Sequence, residues 1–135
     1  MTTSNQQFPI WATGRRKNAT ARVRMNPGTG KFLINDRSIE TYFGGHFRSK
    51  SQVMKPFEAA KVGNQYDIWV DVTGGGVNGQ AGAISHGVAR AFGKLDNPLR
   101  LAMRKEGLLT RDSRMVERKK PGRPKARKRF QYSKR

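Results

Sequence analysis

Apolar and polar residues alternate between Asn18 and Met25. Ala19, Ala21, Val23 and Met25 fall on one side, and Asn18, Thr20, Arg22 and Arg24 on the other. A period of two with one apolar side predicts a half-buried strand. The segment Asn26-Pro27-Gly28-Thr29-Gly30 is turn chemistry. Lys31-Phe32-Leu33-Ile34 is then expected to return as the second strand of a hairpin. Asp36 is expected to cap a short helix with Ile39, Tyr42 and Phe43 on one side, stopped by Gly44-Gly45. Pro56 suits the first turn of a further helix running through Lys61 and ended by Gly63. Alternation resumes from Tyr66 to Thr73, with Ile68, Val70 and Val72 inward and Asp67, Trp69 and Asp71 outward. The two acids have the spacing of a catalytic pair, but with no base or metal ligand nearby they read as surface.

Helical spacing follows. Over Gln80 to Lys94, the residues Ala81, Ile84, Val88, Phe92 and Leu95 recur at steps of three and four, a core stripe. Gly82, His86, Arg90 and Lys94 form a second row, glycine at its start and basic at its end, suited either to solvent or to a sugar-phosphate groove. Asp96-Asn97-Pro98 starts another helix by capping and by proline in the first turn; Gly107 ends it, and Leu99, Ala102 and Met103 are its packing side. Before Asn18 stands a short polar leader, and after Leu108-Leu109 the composition turns polar for good. Residues 1–110 are therefore expected to form the globular domain and residues 111–135 a tail.

Charge changes this picture from a small domain to a polyanion binder. The chain holds 28 Lys and Arg against 9 Asp and Glu, a net charge of +19. Residues Arg118 to Arg135 carry ten of those cations, no acid, and no Val, Leu, Ile or Met. Such a segment repels itself and buries too little to offset the entropy of ordering its backbone. Extended, it reaches about 60 Å from the body. The remaining residues keep a net charge of +9, so the body is basic in its own right. A charge this large works against a compact state until a partner neutralises it. Nucleic acid is the expected partner. An anionic membrane is disfavoured because no broadly apolar amphipathic helix adjoins the tail. Five basic residues between Arg15 and Arg24, without an acid, point the outer strand face towards phosphates.

The loop Gly74-Gly75-Gly76-Val77-Asn78-Gly79 satisfies G-x-G-x-x-G between a strand and a helix, with Asp96 further on. That is the dinucleotide-binding pattern on paper. Its context fails, because Asp96 sits in a turn and no second parallel strand follows. A phosphate-binding Walker loop also fails, since no Gly-Lys-Ser/Thr closes it. What survives is a backbone able to turn sharply and approach an anion with free N–H groups. No cysteine is present, and His46 and His86 stand forty residues apart without a carboxylate cluster. No metal, cofactor or small-molecule substrate is expected, and the chain is not expected to be an enzyme. The first residues lack the basic flank and apolar core of a signal peptide, and no run approaches a membrane span. A cytoplasmic protein is expected.

Taken in order, TGRRKNATARV, GGGVNGQAGAISHGVARA, LLTRDSRMVERKK and the terminal QYSKR resemble small-subunit ribosomal protein nine of the bacterial type, over Thr13 to Arg135. The resemblance implies a fold of the α/β (α+β) kind seen in the second domain of ribosomal protein five. That fold is one small domain, a mixed four-stranded sheet with packed helices and a left-handed βαβ crossover, against the usual handedness, plus a long extended basic C-terminal tail. It implies a structural constituent of the small subunit, bound to ribosomal RNA in the subunit head beside neighbouring ribosomal proteins, with the tail reaching the peptidyl-site tRNA anticodon stem. Carried over by position, Ser133, Lys134 and Arg135 are the expected tRNA contacts.

The expected ribosomal-RNA contacts in the body are Arg15, Arg16, Lys17, Arg22, Arg24, Gly74, Gly75, Gly76, Gly79 and Arg90. Those in the tail region are Arg111, Arg114, Arg118, Lys119, Lys120, Arg123, Lys125, Arg127, Lys128 and Arg129. One departure from the family pattern is Phe130, where proline is common. Phe130 and Tyr132 point the same way in an extended chain and can stack on bases. Two other classes compete. Pro121-Gly122-Arg123-Pro124-Lys125 resembles a minor-groove hook of a DNA-binding architectural protein, and the glycine loop suggests a small phosphotransferase. The first leaves the body unexplained; the second lacks a general base and a metal-binding carboxylate pair.

Overall fold

The structure, a computed structural model, describes residues 9–61, 65–111, 118 and 121–123. Five strands form one mixed sheet, in the order β1 (Ile10–Arg16), β2 (Ala19–Pro27), β5 (Tyr66–Thr73), β3 (Phe32–Ile34), β4 (Arg37–Ser38). All neighbours are antiparallel except β3 and β5, which run parallel. The helices are α1 (Ile39–Phe43), α2 (Phe47–Ala60), α3 (Val77–Leu95) and α4 (Asn97–Lys105). This is the expected small α+β domain. Its fifth strand is the two-residue β4.

β2 carries the alternation seen in the sequence. Ala19, Ala21, Val23 and Met25 are buried, and Arg22 is exposed between them. Its partner is not the expected one. Lys31–Ile34 does not return along β2, because both sides of β2 are taken. One side pairs with β1 across a tight turn at Lys17, whose φ is 52°, and the other with β5. β3 lies instead on the far side of β5, and α1 and α2 are the connection that lets the two run parallel.

Asp67, read as a surface acid, holds that turn. Its Oδ1 accepts N–H bonds from Thr29 (2.9 Å), Gly30 (3.0 Å) and Lys31 (2.9 Å). Those bonds, that of Lys31 first, hold its carboxyl below the usual carboxylate range.

The leader contains β1. Its inward side is Ile10, Ala12 and Gly14, too small to read as an apolar face. The smallness has a reason. A Cβ on Gly14 would lie 2.0 Å from the Ala83 carbonyl oxygen and 2.2 Å from the Gly87 nitrogen, so β1 and α3 touch backbone to backbone.

The boundaries of α1 and α2 also differ from expectation. The cap of α1 is Ser38, whose Oγ accepts the Thr41 N–H at 3.2 Å, while Asn35 and Asp36 form a turn with φ of 49° and 65°. Asn35 uses its side-chain amide as a strand would use backbone, accepting from Val72 N (2.9 Å) and donating to Val72 O (3.1 Å). Pro56 lies late in α2, nine residues after its start, and Lys61 ends that helix in the left-handed region. Inside a helix proline removes one backbone bond and crowds the carbonyl four residues earlier, and in α2 it stands within the last turns. Helix α4 starts where expected, with Asp96 as its N-cap and proline in the first turn, but the Asp96 side chain makes no capping bond.

All the helices packed on the sheet share one side of it. Phe92 on α3 sits edge-on to Phe57 (5.5 Å) and Tyr66 (6.5 Å), and Phe57 is edge-on to Phe32 (5.3 Å), an aromatic seam between α2, α3 and the sheet. The stripe Ala81, Ile84, Val88, Phe92 and Leu95 is buried as expected. The other side of the sheet carries Trp11, Arg22, Arg24, Trp69 and Asp71, and no helix among the described residues covers it.

Candidate nucleic-acid interface

The β1–β2 turn brings Arg15, Arg16 and Lys17 to one end of the sheet, and the glycine loop comes to the same end. A Cβ on Gly74 would meet the Asn18 carbonyl at 2.4 Å, and one on Gly75 would meet Ala19 at 3.1 Å. Both residues have positive φ, 76° and 69°. The loop is therefore glycine because it lies against the turn, and the same contact presents the α3 N-terminus beside the cations. Gly76 is the N-cap, without a side-chain capping bond and with no acid in the first turn. Helix α3 thus begins at Val77 rather than at Gln80, since Gly79 is its buried third residue and not a break. Unpaired N–H groups and the helix dipole favour an anion at this point. Neither Ile10–Pro27 nor Gly74–Leu95 contains an acid.

Arg15 and Lys17 are exposed, and Arg16 is partly covered, its side chain running over Gly82 of α3. On the open sheet side Arg22 stands over Trp11, its Cζ 5.6 Å from the ring centroid, and Arg24 over Trp69 at 4.6 Å. These are cation–π contacts made across strands. Arg24 is more covered than Arg22.

The second row of α3 has a role that spacing did not reveal. β1 is an edge strand, and the row closes that edge. The Arg15 N–H donates to His86 Nδ1 (3.3 Å), Arg90 donates to the Thr13 carbonyl (2.6 Å), and Lys94 donates to the Trp11 carbonyl (2.5 Å). An uncovered edge would pair with other chains, and charged side chains laid along it prevent that. His86 also ties the root of the tail. Because Nδ1 accepts, Nε2 carries the proton and donates to the Leu109 carbonyl at 3.2 Å. Burial first, then the neighbouring Arg90 and Arg111, holds this imidazole below its ordinary value, against the opposing bond to Leu109.

Of the expected contacts in the tail region, Arg111 and Arg118 are exposed, and Arg123 is partly buried beside a turn at Gly122, φ 77°. Arg114, Lys119, Lys120, Lys125, Arg127, Lys128, Arg129, Ser133, Lys134 and Arg135 lie outside the described residues, as do Phe130 and Tyr132. Among the described residues no cluster of histidines and acids could hold a metal, and no helix is long and apolar enough to cross a membrane. The sequence reading missed Trp11 and Arg100. Each was visible as a residue type, but only the fold places them on the same basic surface as Arg90 and Lys94.

A small α+β domain with a cationic turn, an open helix start and a strongly basic C-terminal segment has the chemistry of a polyanion-binding protein. The ribosomal protein S9/S16 family matches residues 14–135 of the chain. The chain belongs to that family, and is a ribosomal protein of the small subunit. RNA binding, a part in translation and a structural rather than enzymatic role go with that membership.

Proposed function

We propose that residues 1–110 anchor the protein on ribosomal RNA in the head of the small subunit, while residues 111–135 run outward along RNA to the peptidyl-site tRNA. The anchor contacts are Arg15, Arg16, Lys17, Arg22, Arg24, the Gly74–Gly79 loop and Arg90. The observation that carries this reading is the convergence of the Arg15–Lys17 turn with the α3 N-terminus, in two segments free of acids. Phosphates satisfy both features at once: guanidinium groups bind them by paired N–H bonds, and the helix start supplies fixed donors. The tail adds charge, with ten Lys and Arg and no acid over Arg118 to Arg135. Ser133, Lys134 and Arg135 are its tRNA contacts, a reading supported by the family's pattern, and the protein works in the cytoplasm, on the ribosome.

Titrating small-subunit ribosomal RNA fragments against the protein at increasing salt tests the anchor. Neutralising about 6–10 phosphates makes affinity fall ~10³–10⁵-fold between 50 and 200 mM salt. A flat response overturns the electrostatic reading, and preference for an A·T-rich DNA duplex would favour the minor-groove alternative. For the tail, deleting Lys134 and Arg135 leaves incorporation into small subunits intact and weakens retention of tRNA at the peptidyl site. Unchanged tRNA retention and reading-frame accuracy removes their role.

A further inference from the structure

The two tryptophans on the open sheet side are used differently. Trp69 lies under Arg24 at 4.6 Å and is partly buried. Trp11, at the edge, keeps 48 % of its surface exposed even with Arg22 over its ring. Beside it opens a cleft of about 260 Å³ lined by Trp11, Ala12, Thr13, Arg22, Arg90 and Lys94. The lining holds an indole, three cations and no acid. Asp71 is in register with Arg22 but is not part of the lining.

The cations are held in place by the bonds already described, Arg90 to the Thr13 carbonyl and Lys94 to the Trp11 carbonyl. Each keeps further N–H donors, since a guanidinium has five and an ammonium three. Their charges stand at the indole before any ligand arrives, so little ordering entropy remains to oppose binding. The cleft also has an exit. A second groove of about 530 Å³ shares Arg90 and Lys94 and continues past Gly93, Asn97 and Arg100 to Leu109, again without an acid.

We propose that this cleft is a site for one unpaired RNA nucleotide, its base against the Trp11 indole and its phosphate between Arg22, Arg90 and Lys94, with the strand leaving along the groove towards Arg100. The site rests on the reading of RNA as the partner. It narrows that reading by requiring a base freed from a helix, because a paired and stacked base offers no free face to an indole. Stacking tolerates any base, so the site selects single-strandedness rather than sequence.

The full chain carrying Trp69→Phe leaves Trp11 as its sole tryptophan and keeps a ring under Arg24. A short single-stranded oligoadenylate should quench its emission, while an RNA duplex of matching length binds without quenching. Trp11→Ala in the otherwise native chain should weaken oligoadenylate binding about 5–150-fold and leave duplex binding within about twofold, electrostatics alone governing the latter. Trp11→Phe should restore most of the loss. The substitutions preserve the carbonyl that Lys94 uses, and Trp11 is not part of the core, so the fold survives them. If the native chain binds both probes and Trp11→Ala changes neither, the nucleotide site is overturned and the RNA reading stands. If the native chain binds neither probe, the RNA reading itself falls and this site with it.

Discussion

The two sides of β2 show how one strand serves two purposes. Towards the helices it presents Ala19, Ala21, Val23 and Met25, all buried; towards the open side it presents Thr20, Arg22 and Arg24. The inward side is small near Ala19 and Ala21, where α3 and the glycine loop come close, and larger at Val23 and Met25. The outward side carries charges whose nearest aromatic partners, Trp11 and Trp69, stand on the neighbouring strands. Stability is invested on one side and charge on the other, and the two are separated only by the pleat of a strand. Self-repulsion is therefore kept at a surface where water relieves it.

The largest expected effect breaks the inward side where it is tightest. Gly14→Val should leave no cooperatively folding protein, because the new side chain meets the α3 backbone and neither element can move without separating the other from the core. Thermal denaturation followed by circular dichroism shows it, and a sharp transition within a few degrees of the native one would refute the backbone contact.

The comparison is sharpest between near neighbours. Met25→Ala should cost about 2–5 kcal/mol, as a fully buried side chain leaves a cavity. Arg22→Ala should cost about 1 kcal/mol or less, the scale of an exposed cation–π contact. RNA affinity should rank them the other way: Arg22→Ala lowers it and reduces the slope of affinity against salt by about one contact, and folded Met25→Ala binds normally. Urea titrations paired with RNA titrations read both. Equal losses from the two variants in either assay would dissolve the distinction between the sides.

The smallest effect sits where the sheet edge meets the tail. With its folded pKa lowered, His86 is neutral in the native state and must stay so to accept the Arg15 N–H. Protonation therefore favours the unfolded chain. This contribution is complete above the ordinary value of 6.5, declines as pH falls through it, and levels once below the lowered folded value. Replacing His86 with Gln should flatten stability across that window. An unaltered pH profile in the variant means another group is responsible.

Much of this was legible in advance because it depends on short-range pattern. The β2 and β5 alternations, the α3 stripe and the packing side of α4 follow from local periodicity, which survives into the fold whenever a single side is buried. The cationic turn and the glycine loop were recognisable as local motifs for the same reason, and the fold brings the two to one end of the sheet. Asp67 was not, since its work is to accept N–H groups from a turn more than thirty residues earlier in the chain. Nor was β1: Ile10, Ala12 and Gly14 are small because α3 presses on them, and a strand with so little apolar bulk imitates a leader.

The sequence alone determined the kind of partner, since net charge, its concentration in an acid-free segment and the absence of cysteine do not depend on how the chain folds. Tertiary structure alone decided what each cation does. Arg90 and Lys94 share one row of α3 with His86, yet that row closes a strand edge, and only packing against β1 sets those charges beside an indole. Spacing tells which residues share a side of an element; what that side meets is settled by contacts distant in sequence.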